Sequence, residues 1–328
     1  MAFLFDADID PAPLRGLTVA IIGFGNQGRA QALNLRDSGI DVRVGLREGS
    51  PRQAEAAGLP VAAPSQAASE ADLVMLLAPD EHLADIYAEI EPALRPSATL
   101  GFSHGLAIHY RLINPRPDLA VVMVAPKGPG TALRSLYQEG RGMVALVAVA
   151  QDPAGNAWPL ALAYGAAIGC GRAGILRSTF EEECVADLFN EAAVVWGAVP
   201  AILEAGFTAL TEAGVQPEVA YLECVSELKL LADLIEARGL AGMREAISNT
   251  AEFGALEGGA QVIDKRVRDT MRQALAELRS DDSFARRLLA ERDAAYPLLR
   301  KSRELAAAAP LEQARLLLPK ITQPVTSG

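Results

Sequence analysis

A short β-branched run, Leu17-Thr18-Val19-Ala20-Ile21-Ile22, passes directly into Gly23-Phe24-Gly25-Asn26-Gln27-Gly28 and then into Ala30-Gln31-Ala32-Leu33-Asn34-Leu35. The first segment reads as a buried parallel strand and the third as a helix. The glycines between them match G-x-G-x-x-G. Here Gly23 permits the tight turn, Gly25 lets backbone approach a pyrophosphate, and Gly28 lets the helix pack on the strand. The phosphates then meet the N–H groups of the first helical turn, which holds Asn26 and Gln27. A strand, a glycine turn and a helix in this order constrain the fold to a parallel sheet that binds a dinucleotide at its strand ends.

The tip of the next strand bears on the choice of dinucleotide. Asp41-Val42-Arg43-Val44-Gly45-Leu46 ends without the acidic residue that NAD-binding folds set against the ribose hydroxyls. Arg47-Glu48-Gly49-Ser50-Pro51-Arg52 follows, and Arg47, Ser50 and Arg52 can together meet a 2′-phosphate. Glu48 argues mildly against it, and ordinary loops also carry arginine. NADP(H) is the expected cofactor.

Strand and helix signals alternate from Leu17 to about Gly174. Strands are expected at Ala71–Leu77, Thr99–Phe102, Ala120–Val124 and Val144–Val149. After Ser178 strand signals vanish, and Ala, Leu and Glu recur at helical periods nearly to Pro319. The expected architecture is α/β: a Rossmann-type parallel sheet over residues 1–178, then an all-helical domain over residues 179–328. At 328 residues each part is long enough to bury a core. No signal peptide and no long uninterrupted apolar segment is evident, so neither secretion nor membrane spanning is expected, and the chain reads as cytoplasmic. Cys170, Cys184 and Cys224 lack CxxC spacing and suggest buried thiols in a reducing compartment. The net charge of -11 disfavours nucleic acid as a partner.

Two acidic pairs stand out in the helical half, Asp187 with Glu191 and Glu223 with Glu227. Each is spaced i, i+4, which puts both carboxylates on one helix face at a cost in like-charge repulsion. Their neighbours are largely apolar. A solvated face explains a single pair; two pairs downstream of a dinucleotide signature suggest hard divalent cations such as Mg2+, and four carboxylates suggest two ions. His104 follows one expected strand and Lys127 the next, both at carboxyl ends where α/β sheets bind ligands. Gly130 closes the Pro/Gly loop that presents Lys127 and is expected at the dinucleotide too. His82 and His109 have no such setting.

Together these residues resemble the ketol-acid reductoisomerases of branched-chain amino-acid biosynthesis, over nearly the whole chain. The resemblance is carried by the glycine segment, by Val44-Gly45-Leu46-Arg47-Glu48-Gly49-Ser50, by Ala125-Pro126-Lys127-Gly128-Pro129-Gly130 and by Thr179-Phe180-Glu181-Glu182-Glu183. Both acidic segments and Ile247-Ser248-Asn249-Thr250-Ala251-Glu252-Phe253-Gly254 extend it. The length is that of the short form, whose single helical domain is knotted in that family. The resemblance implies a 2-acetohydroxy acid substrate chelated by two Mg2+ ions, a 1,2-alkyl shift, and hydride transfer from NADPH to give a 2,3-dihydroxy acid. Asp187 would bridge the ions, Glu191 would bind one, and Glu223 and Glu227 would lie at or near the other. Glu227, or water, would handle protons, with Lys127 and His104 ordering the polar network and Ser248 holding the substrate carboxylate. It also implies a homodimer with a shared site, Glu223 and Glu227 coming from the partner subunit, and higher assemblies are possible.

The chain departs from the family pattern at Trp196-Gly197-Ala198, where Cys-Gly-Gly is usual, and at Thr131, where His is usual. Asn190, Ala192, Ala260 and Gln261 depart as well. No expected metal ligand is lost. Trp196 bears on which alkyl group fits, so the alternative is a divergent paralogue reducing another small 2-keto acid or imine. A non-enzymatic nucleotide-binding descendant is a third reading, which the surviving carboxylates oppose.

Overall fold

The computed structural model describes residues 2–53 and 58–318. Its eight strands form one sheet in the order β3-β2-β1-β4-β5-β6-β7-β8. They are β1 Thr18–Ile22, β2 Asp41–Gly45, β3 Val61–Ala62, β4 Leu73–Leu76, β5 Thr99–Phe102, β6 Ala120–Pro126, β7 Ala145–Gln151 and β8 Ile175–Arg177. The helices among them are α1 Asn26–Asp37, α2 Pro64–Ser69, α3 Leu83–Ile90, α4 Leu106–His109, α5 Gly130–Gln138 and α6 Ala157–Ala167.

Alternation along the strands builds a core on each face. Val19 and Ile21 join one cluster with Val44, Met75, Val122 and Val124. Ala20 and Ile22 join the other with Val74, Leu76, Leu100, Phe102 and Met123. Burial on both faces explains why these strands read as continuous apolar runs. Pairing is parallel except between β6 and β7, which run antiparallel with Met123 opposite Ala148. That reversal has no counterpart in the sequence reading, because buried strands of either direction share one composition. The two-residue β3 and three-residue β8 are likewise too short to leave a pattern.

The remaining helices are α7 Phe180–Ala193, α8 Ala198–Glu212, α9 Pro217–Tyr221, α10 Leu228–Ala246, α11 Asn249–Val262, α12 Lys265–Ser280, α13 Ser283–Asp293, α14 Pro297–Ala308 and α15 Pro310–Leu317. The chain divides into two compact units, one ending at Ala186 and one beginning at Asp187. The expected boundary after Ser178 falls between β8 and α7. Gly239 interrupts α10 with φ 67° and ψ 177°, a conformation that only glycine adopts without strain.

The second unit is thinly cored. Among its described residues, the buried hydrophobics are Leu188, Phe207, Ala220, Leu278, Ala285 and Ala314. No residue of α10, α11 or α14 is buried. Large apolar side chains lie open instead, among them Trp196 at 71%, Leu240 at 64% and Phe253 at 63%. The stretch Phe180–Glu212 is long and apolar enough, by length and composition, to cross a membrane. Glu181, Glu182, Glu183, Asp187, Glu191 and Glu204 interrupt it, so it is not an uninterrupted apolar segment; its mean hydropathy stays high because Leu, Val and Ala fill the rest.

Candidate active site

The glycine turn forms as its spacing predicts. Gly23 has φ +100°, and a Cβ there would meet the Ala78 backbone nitrogen at 2.8 Å. A Cβ on Gly28 would meet the Gly23 carbonyl oxygen at 2.2 Å, so α1 can approach β1 only because that position is bare. Gly25 faces open space, with nothing within 4 Å of a Cβ.

A cavity of about 370 Å3 opens over this turn, lined by Gly25, Asn26, Arg29, Ala30, Arg52, Gly130 and Thr131. The N-terminus of α1 and two guanidinium groups border it, a setting that suits phosphate. The cradle therefore fits a dinucleotide. Asn26 Oδ1 accepts from the Thr131 N–H at 3.1 Å, tying the glycine turn to the loop after β6. A Cβ on Gly130 would lie 2.1 Å from the Asn26 carbonyl oxygen. Arg47 is exposed and Ser50 half-buried beyond β2; residues 54–57 of the same loop lie outside the described residues.

A second cavity of about 290 Å3 adjoins the same turn, bounded by Gly25, Asn26, Gln27, Leu76, Leu77, Asp80, Ser103 and His104 among others. His104 leaves the end of β5 and Lys127 the end of β6, neighbouring parallel strands paired through Phe102 and Met123. His104 Nδ1 lies 3.2 Å from Asp80 Oδ2. Lys127 Nζ donates to Glu183 Oε1 at 3.2 Å, and the Gly105 N–H donates to Glu183 Oε2 at 2.8 Å. Glu183 is 2% exposed, and its Oε2 lies 4.0 Å from His104 Nε2. Burial alone would lower the imidazole pKa, but hydrogen bonds to Asp80 and Cys184 and the charges of Asp80 and Glu183 raise it well above its ordinary value. His104 thus lies between two carboxylates whose charges favour its protonated form.

Glu183 is the residue that the sequence reading did not single out. It precedes Asp187 by four residues, so extending the series Asp187, Glu191 back one step reaches it. Asp80 left no such signal, because a lone Asp after a strand is common.

In the second unit Asp187 is half-buried and Glu191 exposed, one turn apart on α7. Glu223 and Glu227 are exposed, but their segment is not plain α-helix. The chain makes a π-helical turn over Leu222–Ser226, and Glu227 follows it. In that turn the backbone hydrogen bonds run i→i+5 instead of i→i+4. π-turns often mark functional positions, where they re-aim a side chain. Ser248 caps α11, its Oγ accepting from the Ala251 N–H at 3.2 Å; the hydroxyl proton can still be donated elsewhere. Each of the four carboxylates offers oxygen donors, the chemistry that Mg2+ takes.

Residues 13–174 match the family described as acetohydroxy acid isomeroreductase, NADPH-binding domain, and residues 180–322 match ketol-acid reductoisomerase, C-terminal domain. The chain belongs to the ketol-acid reductoisomerase family. A ketol-acid reductoisomerase (NADP(+)) of Beutenbergia cavernae is 50% identical over 95% of this chain and 92% of its own length. One from Saccharopolyspora erythraea is 48% identical over 94% of each. A solved structure, an NADH-preferring ketol-acid reductoisomerase from an uncultured archean, superposes with a TM-score of 0.92 at 41% identity, covering 98% of this chain and all of its own. The fold of this family therefore extends through the helical half as well as the sheet.

Proposed function

We propose that this chain converts 2-acetohydroxy acids to 2,3-dihydroxy acids in valine and isoleucine synthesis, by Mg2+-dependent alkyl migration followed by reduction with NADPH. The observation that carries the reading is the match of both domain families in one chain that keeps Asp187, Glu191, Glu223 and Glu227. When bound, Mg2+ acidifies the substrate hydroxyl and polarises its ketone, while NADPH supplies the hydride.

The chain's own groups define the rest. Asp187, Glu191, Glu223 and Glu227 hold the cations. Glu227 also takes or returns a proton, and Ser248 donates its hydroxyl proton to the substrate carboxylate while capping α11. Lys127 and His104, set against the buried Glu183, present positive charge toward an anionic substrate. Gly23, Gly25, Asn26, Gln27, Gly28 and Gly130 seat the pyrophosphate, and Arg47, Ser50 and Arg52 take the 2′-phosphate that distinguishes NADPH from NADH.

The working unit is a homodimer in the cytoplasm whose partner supplies Glu223 and Glu227. The bare apolar faces of the second unit support this reading, because helices with no buried stripe need another surface. A second copy suits them better than lipid: Asp187, Glu191 and Glu204 interrupt Phe180–Glu212, and ionisable groups in a bilayer are costly.

The test is NADPH oxidation with 2-acetolactate, with Mg2+ or with EDTA, followed by product identification. Mg2+-dependent 2,3-dihydroxyisovalerate is the expected result. No turnover by protein that still binds NADPH and Mg2+ would favour the paralogue reading and a different 2-keto acid.

A further inference from the structure

A string of amide and hydroxyl hydrogen bonds crosses the first unit behind both cavities, and the reaction as described leaves it without a role. Tyr164 on α6 is buried, and burial pushes its phenol well above its ordinary range, so the group is a neutral O–H donor. It donates to Gln31 Oε1 at 2.7 Å. That contact fixes which end of the Gln31 amide faces which neighbour. Gln31 Nε2 then donates to Gln27 Oε1 at 3.1 Å and to Ser103 Oγ at 2.9 Å. From there the string splits. Gln27 Nε2 donates to the Gly128 carbonyl at 2.8 Å, and Ser103 Oγ donates to the Val124 carbonyl at 2.8 Å.

The ends of the string carry the argument. Gln27 lies in the first turn of α1, over which the dinucleotide phosphates sit. Gly128 follows Lys127 directly, and Ser103 directly precedes His104. Gln31 itself is fully buried. A buried amide is costly unless its bonds are made, and an apolar side chain would fill the same space without that requirement. Here both Gln31 protons go to groups at the carboxyl edge of the sheet while α6 anchors its carbonyl oxygen through Tyr164, so the amide ties the first turn of α1 to the loop after β5 and, through Gln27, to the loop after β6.

We infer that Gln31 is a positioning residue, whose amide sets the His104 and Lys127 loops in register with the cofactor-binding turn of α1. The inference rests on the proposed reaction for its consequence: the nicotinamide and the substrate are held by different loops, and hydride transfer is sensitive to their separation. A displacement near 1 Å can cost about a hundredfold in rate. Gln31 touches neither reactant; it acts through Gln27 and Ser103.

Gln31→Met keeps the volume of the side chain and removes every bond of the string that passes through it. NADPH affinity is read by fluorescence titration without substrate, and KM and kcat are read separately with 2-acetolactate, on protein whose circular dichroism and elution volume match wild type. The expected result is NADPH binding and kcat each weakened by about tenfold. A folded Gln31→Met with a lowered Tm but wild-type NADPH affinity and kcat would overturn the inference, because a purely structural amide would leave the folded fraction unimpaired. Tyr164→Phe provides the second arm should Gln31→Met not fold, since it removes one donor and leaves the ring in place. Unchanged NADPH affinity and kcat in that variant would also overturn it. Wild-type protein that binds NADPH but ignores 2-acetolactate would defeat the proposed substrate, and the affinity ratio would still judge Gln31.

Discussion

Glu183 sits in a nearly dry place where three groups reach its carboxylate: the Lys127 ammonium, the Gly105 N–H and, farther off, His104. The charge on His104 depends on its carboxylate neighbours in turn. Burial acts on the imidazole downward, and Asp80→Asn removes the carboxylate whose hydrogen bond is the largest upward influence, leaving Cys184 and Glu183 to oppose burial. In metal-free wild type, the His104 imidazole is expected to titrate above its ordinary value by NMR, and in Asp80→Asn to titrate lower than in wild type. The sign for stability follows. A folded pKa raised above the unfolded value stabilises fully below about pH 6.5 and loses that contribution as pH climbs through the folded value. Asp80→Asn should flatten this dependence in urea melts of the metal-free protein. Cys170 gives a second residue-scale expectation. Burial, with the Asp6 charge adding to it, pushes its thiol up to about 12. Native protein at pH 8 should leave Cys170 unalkylated by iodoacetamide, as mass spectrometry of the peptides would show, until denaturant is added.

At the scale of elements, the strongest signals in the sequence were the ones tied to hydrophobic period and glycine spacing. β1, β2, β4, β5, β6 and β7 form where short, largely apolar runs lie, and Gly23 and Gly28 have the steric reasons that their motif implies. The antiparallel β7 and the π-turn at Leu222–Ser226 were illegible, since strand direction and one extra residue per turn leave composition unchanged. Within the candidate site, Lys127 and His104 were legible from their places after strands. Asp80, which holds His104, emerges only when distant segments fold together, whereas Glu183, which meets Lys127, is within reach one step back along the acidic series. Ser248 shows how element and site overlap. Ser248→Ala should cost about 1 kcal/mol through the lost cap of α11. Ser248→Asn should restore most of that stability by capping in turn, while KM for 2-acetolactate stays high if the hydroxyl holds the substrate. A KM that recovers with the cap would reduce Ser248 to a helix end.

For the whole molecule, the decisive contrast is between a first unit with a core on both sheet faces and a second with α10, α11 and α14 wholly unburied. Helices of that kind gain little by folding alone, because most helical stability comes from packing an apolar face. A symmetric dimer would supply that packing by setting the same patch of both copies together. Complementation tests whether the copies also share their sites. Asp187→Asn and Glu223→Gln should each be inactive alone with NADPH binding retained, since both leave the glycine turn's own residues unchanged. When the two variants are unfolded together and refolded as an equal mixture, half of the dimers carry one copy of each. If Asp187 and Glu223 of one site come from different subunits, each mixed dimer has one site with both ligands intact and one with neither. Activity should then return to about a quarter of wild type. If both carboxylates come from one chain, every site keeps a lesion and the mixture stays inactive. Sedimentation of the refolded mixture must show dimers for either result to count, which makes the assembly and the shared site separable in one experiment.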